Sequence, residues 1–227
     1  WGLFTLKSAF QPIFAFRNGR ATIAAFEGLL RPFRDDERVS PAAFFNSIPV
    51  GDRLHVETLA RTLHLLNAGR FLDPTAAIFI NFDPSVFSEP AIADHALREM
   101  RLVLHEAGID PRRIVCEVTE QKSASQDTLY DFVAALRRHG FRIAVDDYGA
   151  DDSDIARINE LKPDIVKFDA HWITHLMDSG PGFALLSTMV QTFAEQGIVT
   201  VFEGIEEGWQ LDLAERSGAS MVQGYVL

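Results

Sequence analysis

The chain has 227 residues, 47% of them hydrophobic, enough for one sizeable domain with a full core. Its net charge of −11 argues against the basic face that broad nucleic-acid binding needs, yet leaves room for a small phosphorylated ligand held through metal ions. The single cysteine, Cys116, excludes an internal disulfide and suits a reducing compartment, and no apolar run is long enough to span a bilayer.

The first elements read as a β-hairpin, with strands over 9–16 and 21–30 joined by Arg17-Asn18-Gly19-Arg20, where Asn-Gly is a strong turn signal. Strands and helices then alternate. Ser40 before Pro41 predicts a helix start, with helices over 41–48 and 52–68. A strand follows at 76–82 and a helix near 90–107, and Asp110-Pro111 breaks the chain before a strand at 113–118. Leu129, Phe132, Val133 and Leu136 share one helical face, and Gly140 closes that helix. A strand at 141–146, a polar loop and a short helix near 152–160 come next. The strand at 164–168 is followed by a Gly/Pro-containing stretch at 180–182 and a helix to about 196. A strand at 198–202, a helix near 206–217 and a strand at 220–223 complete the series. Trp1 leads almost directly into strand-like sequence and Leu227 closes on it, which suggests that residues 1–227 form one domain of a longer protein.

Repeated strand–helix units predict an α/β fold with a mainly parallel sheet, the opening hairpin adding one antiparallel strand. Polar residues stand at the ends of the apolar runs: Glu27, Asn81, Glu117, Asp146 and Asp147, Lys167, Glu203 and Gln223. That pattern favours an eight-stranded barrel, whose functional residues sit at the C-terminal ends of its strands, over an open sheet with one switch point. Several carboxylates gathered on one face repel each other unless cations lie among them, and oxygen ligands favour hard divalent ions such as Mg²⁺ or Mn²⁺.

The segments Phe10-Gln11-Pro12-Ile13, Glu27-Gly28-Leu29-Leu30-Arg31, Asn81, Glu117-Val118-Thr119-Glu120, Asp146-Asp147-Tyr148-Gly149, Lys167-Phe168-Asp169, Glu203-Gly204-Ile205-Glu206 and Gln223-Gly224-Tyr225 occur in one order along nearly the whole chain. In that order they resemble the EAL domain family. The resemblance implies a modified TIM (β/α)₈ barrel that hydrolyses cyclic di-GMP to linear pGpG with two Mg²⁺ or Mn²⁺ ions. It also implies that Glu27, Asn81, Glu117 and Asp146 hold the first metal, and that Asp146 bridges to a second held with Asp147 and Glu203. Lys167 would hold or polarise the attacking water, with Glu203 and Asp147 beside it. Gln11, Leu29, Arg31 and Gln223 would line the ligand pocket, Arg31 near a phosphate, and Glu120 would anchor the loop after Asp147. The resemblance further implies a homodimer, a cytoplasmic setting, and sensor or regulatory domains in a full-length protein that could be membrane-tethered.

The chain departs from the family at Gly28, where the signature has alanine, at Phe202, where a small residue is usual, and at Ala150-Asp151-Asp152-Ser153-Asp154, where small and hydroxyl residues are usual. The acidic loop bears on dimer-coupled regulation more than on the chemistry, and it is the feature that would favour an inactive cyclic di-GMP receptor, or a pure interaction domain, over an enzyme. Asp151, Asp152 and Asp154 also fit a solvated loop and helix cap. Cys116 reads as a small core residue, and the seven histidines lack paired metal spacing. Phe10, Phe82 and Phe168 are candidates to reach a guanine as well as to pack the core, and Tyr148 to contact ligand or support the loop.

Overall fold

The computed structural model describes residues 1–17, 19–87, 89–119, 126–150 and 155–227. The hairpin is longer than its apolar pattern suggests: β1 is Phe4–Arg17 and β2 is Arg20–Arg34. β2 reverses through Asp35 and Asp36, at φ +50° and +64°, into the two-residue β3 (Glu37–Arg38). Short acidic side chains tolerate the left-handed backbone that such a tight turn requires.

Strands and helices then alternate as the sequence predicts: α1 (Pro41–Asn46), α2 (Arg53–Phe71), β4 (Ala77–Phe82), α3 (Pro90–Glu106), β5 (Ile114–Thr119), α4 (Gln126–Arg138), β6 (Arg142–Tyr148), α5 (Ile155–Leu161) and β7 (Ile165–Phe168). α6 (Ala170–Met177), α7 (Gly180–Glu195), β8 (Val199–Phe202), α8 (Gly208–Ser217) and β9 (Met221–Val222) follow. Two expectations need correction. Residues 170–177 form α6, and Gly180-Pro181-Gly182 begins α7 rather than preceding it, because Ser179 Oγ accepts the Gly182 N–H and proline suits a first turn. The last strand ends at Val222, so Leu227 closes no strand.

The strands pair in the order β1-β9-β8-β7-β6-β5-β4-β2-β3, and β1 also pairs with β2. The pairing therefore closes on itself as the expected modified (β/α)₈ barrel of eight strands, with β3 as an extra. β6, β7, β8 and β9 run parallel, and β1 is antiparallel to β9. Among the described residues no helix is long and apolar enough to cross a membrane.

The chain packs as two compact units. The first comprises Trp1–Gln11, Phe26–Cys116 and Gln121–Phe141. Its core includes Leu30, Phe44, Ile48, Val56 and Ala60, with Trp1 and Phe4 edge-on to Phe44. A second cluster stacks Phe87 on Phe132 beside Phe82, and the buried Arg61 guanidinium lies over Phe82 at 4.5 Å while pairing with Glu57. Phe82 is thus core and not a free guanine contact. Cys116 is fully buried, as expected.

The second unit comprises Pro12–Ala25, Glu117–Glu120 and Arg142–Leu227. Phe168 is at its aromatic centre, against Tyr148, Trp172, Phe193 and Phe202. Phe168 is also fully buried, so it too belongs to the core, and Tyr148 supports this cluster. The unusual Phe202 fills the same space, its ring 5.2 Å from Phe168.

Candidate functional site

In the second unit the ends of successive strands bring four acids and a lysine together. Glu117 lies on β5, Asp146 and Asp147 on β6 and Lys167 on β7, while Glu203 directly follows β8. Lys167 Nζ is 2.5 Å from Glu117 Oε1, 2.7 Å from Glu203 Oε1 and 3.2 Å from Asp146 Oδ1. Lys167 and Glu117 are almost wholly buried, Asp146 is buried, Glu203 half-buried and Asp147 exposed.

Successive residues of a regular strand point to opposite faces, so adjacent acids should diverge. Here they converge because β6 carries a bulge. Val145 pairs with Val166 but Tyr148 pairs with Phe168, so three steps on β6 match two on β7. Asp147 takes up the extra residue at φ +57°. A bulge re-aims a side chain in this way, and one carboxylate oxygen each from Asp146, Asp147 and Glu203 lies within 4.8 Å of the others. Backbone bonds carry the ladder past the strand ends: Glu203 N donates to Phe168 O, Gln223 N to Phe202 O, and Ile205 N to Gln223 O. Gly224 is required where it is, since a Cβ would come within 1.9 Å of Ile205 O. That close approach seats Gln223, which is buried.

Four carboxylates against one ammonium leave a net negative charge in a largely buried space, where like charges are costly without added cations. The donors are all carboxylate oxygens, a set that suits hard divalent ions. The acids therefore fit a metal site.

The first unit holds the other strand-end residues. Asn81, at the end of β4, donates to Glu27 Oε1 on β2 at 3.2 Å. Glu27 is buried and Asn81 exposed, while Gln11, Leu29 and Arg31 are half-buried. Arg31 donates to its neighbour's carbonyl, Leu30 O, at 3.1 Å. Gly28 has a local cause: a Cβ there would lie 3.2 Å from both His64 Cγ and Ile80 Cδ1. His64, on α2, fills the space an alanine would use and hydrogen-bonds Ser8 at 2.8 Å. Phe10 meets the His64 ring edge-on at 6.3 Å. Burial, then the Arg31 and Arg61 guanidiniums, push the His64 pKa down to about 4, with Glu27 acting against them.

Glu120 and the acids Asp151, Asp152 and Asp154 lie outside the described residues. No local motif singles out His64 as the neighbour of Gly28, or Trp172 as the residue whose indole lies against Gly149.

The EAL domain model matches residues 4–227, so this chain belongs to the EAL domain family. It is similar to the EAL-domain containing protein YkuI of Bacillus subtilis, 30% identical over 96% of this chain and 53% of YkuI. It is 27% identical to the probable cyclic di-GMP phosphodiesterase PdeB of Escherichia coli, over 96% of this chain and 41% of PdeB. The solved manganese and cyclic di-GMP complex of Klebsiella pneumoniae BlrP1 superposes with a TM-score of 0.83 at 26% identity, covering 97% of this chain and 55% of that one. The chain thus spans about half the length of these relatives, or less.

Proposed function

We propose that this chain is a cyclic di-GMP phosphodiesterase domain, hydrolysing its substrate to linear 5′-pGpG with two divalent cations, Mg²⁺ or Mn²⁺. The observation that carries this reading is the convergence of Asp146, Asp147 and Glu203 beside the buried Lys167 and Glu117. Names and titles of relatives add support: PdeB is named a probable cyclic di-GMP phosphodiesterase, and BlrP1 was solved with manganese and the same cyclic dinucleotide.

Bound divalent cations would neutralise the phosphodiester oxygens and lower the pKa of the attacking water for in-line displacement. The chain's own groups would do the rest. Glu117, Asp146, Asp147 and Glu203 would supply oxygen ligands, with Glu27 and Asn81 added on the family resemblance. Lys167 Nζ would orient the water, and Glu203, whose Oε1 is 2.7 Å from that Nζ, or Asp147 would accept its proton as the water oxygen bonds to phosphorus and the P–O3′ bond breaks, the proton passing on to the departing 3′ oxygen. Arg31 would pair with a phosphate through its planar guanidinium, and Gln11, Leu29 and Gln223 would line the nucleotide pocket.

The test is incubation with cyclic di-GMP and Mn²⁺, with pGpG measured directly. Wild type should form pGpG, and Asp146→Asn or Glu27→Gln should lower the rate on the order of a hundredfold or more, as loss of a metal ligand does. Tight binding of cyclic di-GMP without turnover would replace the enzyme by a receptor, and no binding would leave an interaction domain.

A further inference from the structure

The bulge that joins Asp146 to Asp147 runs into a glycine covered by a residue with no part in the chemistry above. Asp147 is at φ +57°, and its carbonyl accepts the Ala150 N–H at 3.1 Å. Gly149 follows at φ +99°. A Cβ on Gly149 would lie 2.4 Å from Trp172 Cδ2 and 2.6 Å from Cγ, so the indole is seated directly on the glycine Cα. The start of α6 fixes that indole. Asp169 backbone N–H donates to Tyr148 O at 3.0 Å, and Asp169 Oδ1 accepts the Trp172 backbone N–H at 2.9 Å. Phe168 stacks on the indole at 5.7 Å, and Tyr148 meets it edge-on at 5.9 Å.

We propose that Trp172 is a positioning residue for the metal-binding acids: its indole, packed on Gly149, holds the bulge that turns the Asp147 carboxylate toward Asp146 and Glu203. This rests on the reading of those three acids as metal ligands. An aspartate tolerates the left-handed region better than most residues, but extended backbone remains the lower-energy choice within a strand, so the bulge depends on what packs against it. If the indole is removed, the segment can relax toward regular β structure, which sends the Asp147 side chain to the opposite face. Cation binding then weakens, while Lys167 and Glu203, on β7 and after β8, keep their places.

The test measures Mn²⁺ affinity by calorimetry without nucleotide, for wild type, Trp172→Ala and Trp172→Phe. Trp172→Ala should bind Mn²⁺ about tenfold more weakly, the scale of losing an outer residue that orients a ligand. The Mn²⁺ concentration for half-maximal cleavage should rise in parallel, with kcat at saturating Mn²⁺ kept. Trp172→Phe, which still lays a ring on Gly149, should recover most of the affinity. If Trp172→Ala does not fold, Trp172→Leu carries the same comparison, since it fills volume without a flat face. Unchanged affinity in the Ala or Leu variant, or a Phe variant no better than they are, overturns the assignment. The affinity is read without turnover, so a wild type that binds Mn²⁺ but makes no pGpG counts against the phosphodiesterase reading alone.

Discussion

Lys167 brings its ammonium into a space bounded by Glu117, Asp146 and Glu203, and almost none of the side chain meets solvent. An ammonium is stable there because carboxylates at 2.5–3.2 Å replace the water it has lost. The same contact lowers repulsion among the acids. Lys167→Met removes that charge and leaves Glu117 buried among like charges, which should cost about 3–5 kcal/mol in protein kept in chelator. A divalent cation that binds the folded acids would offset part of the loss by mass action. Thermal unfolding checks this: Mn²⁺ should raise the midpoint of Lys167→Met more than that of wild type. An equal rise in both would mean that Lys167 and the cation do not share the same acids.

At the scale of elements, α2 meets the hairpin through a polar seam. His64 is packed on Gly28 and bonded to Ser8, and Asn67 also donates to Ser8 at 3.3 Å. The His64 pKa is lowered from 6.5 to about 4, so between these values the unfolded chain takes up a proton that the folded chain refuses. Stability from this group is therefore full above about pH 6.5 and is lost as the pH falls toward 4, a change of about 3 kcal/mol. Urea denaturation across that window should show the loss in wild type relative to His64→Asn; parallel curves would mean that His64 is not held neutral. The seam also shows what the residue pattern conceals. Gly28 reads as a weakened strand position when met in sequence, and its reason lies on a helix more than thirty residues away. α6 was illegible for a different cause. It is only eight residues long, and its N-cap, Asp169, is absorbed into the Lys167-Phe168-Asp169 motif that reads as a strand end. The longer elements were legible because their apolar spacing and their Ser-Pro or Gly boundaries leave local marks, as at Ser40-Pro41 and Gly140.

At the scale of the molecule, strand pairing closes in the order that the alternation of strands and helices predicts, with the hairpin supplying the antiparallel member. Glu117, Asp146, Asp147, Lys167 and Glu203 were legible as a set because each ends an apolar run, and parallel strands deliver their ends to one side. The bulge was not legible, since nothing in Asp146-Asp147 says that two neighbours will point the same way. The most direct measurement strips the protein with chelator, adds cyclic di-GMP, and follows pGpG while Mn²⁺ is titrated back. The account predicts no product without metal, product that rises and saturates with Mn²⁺, and its loss in Asp146→Asn. Cleavage that persists in chelator, or an Asp146→Asn variant as fast as wild type, would contradict it.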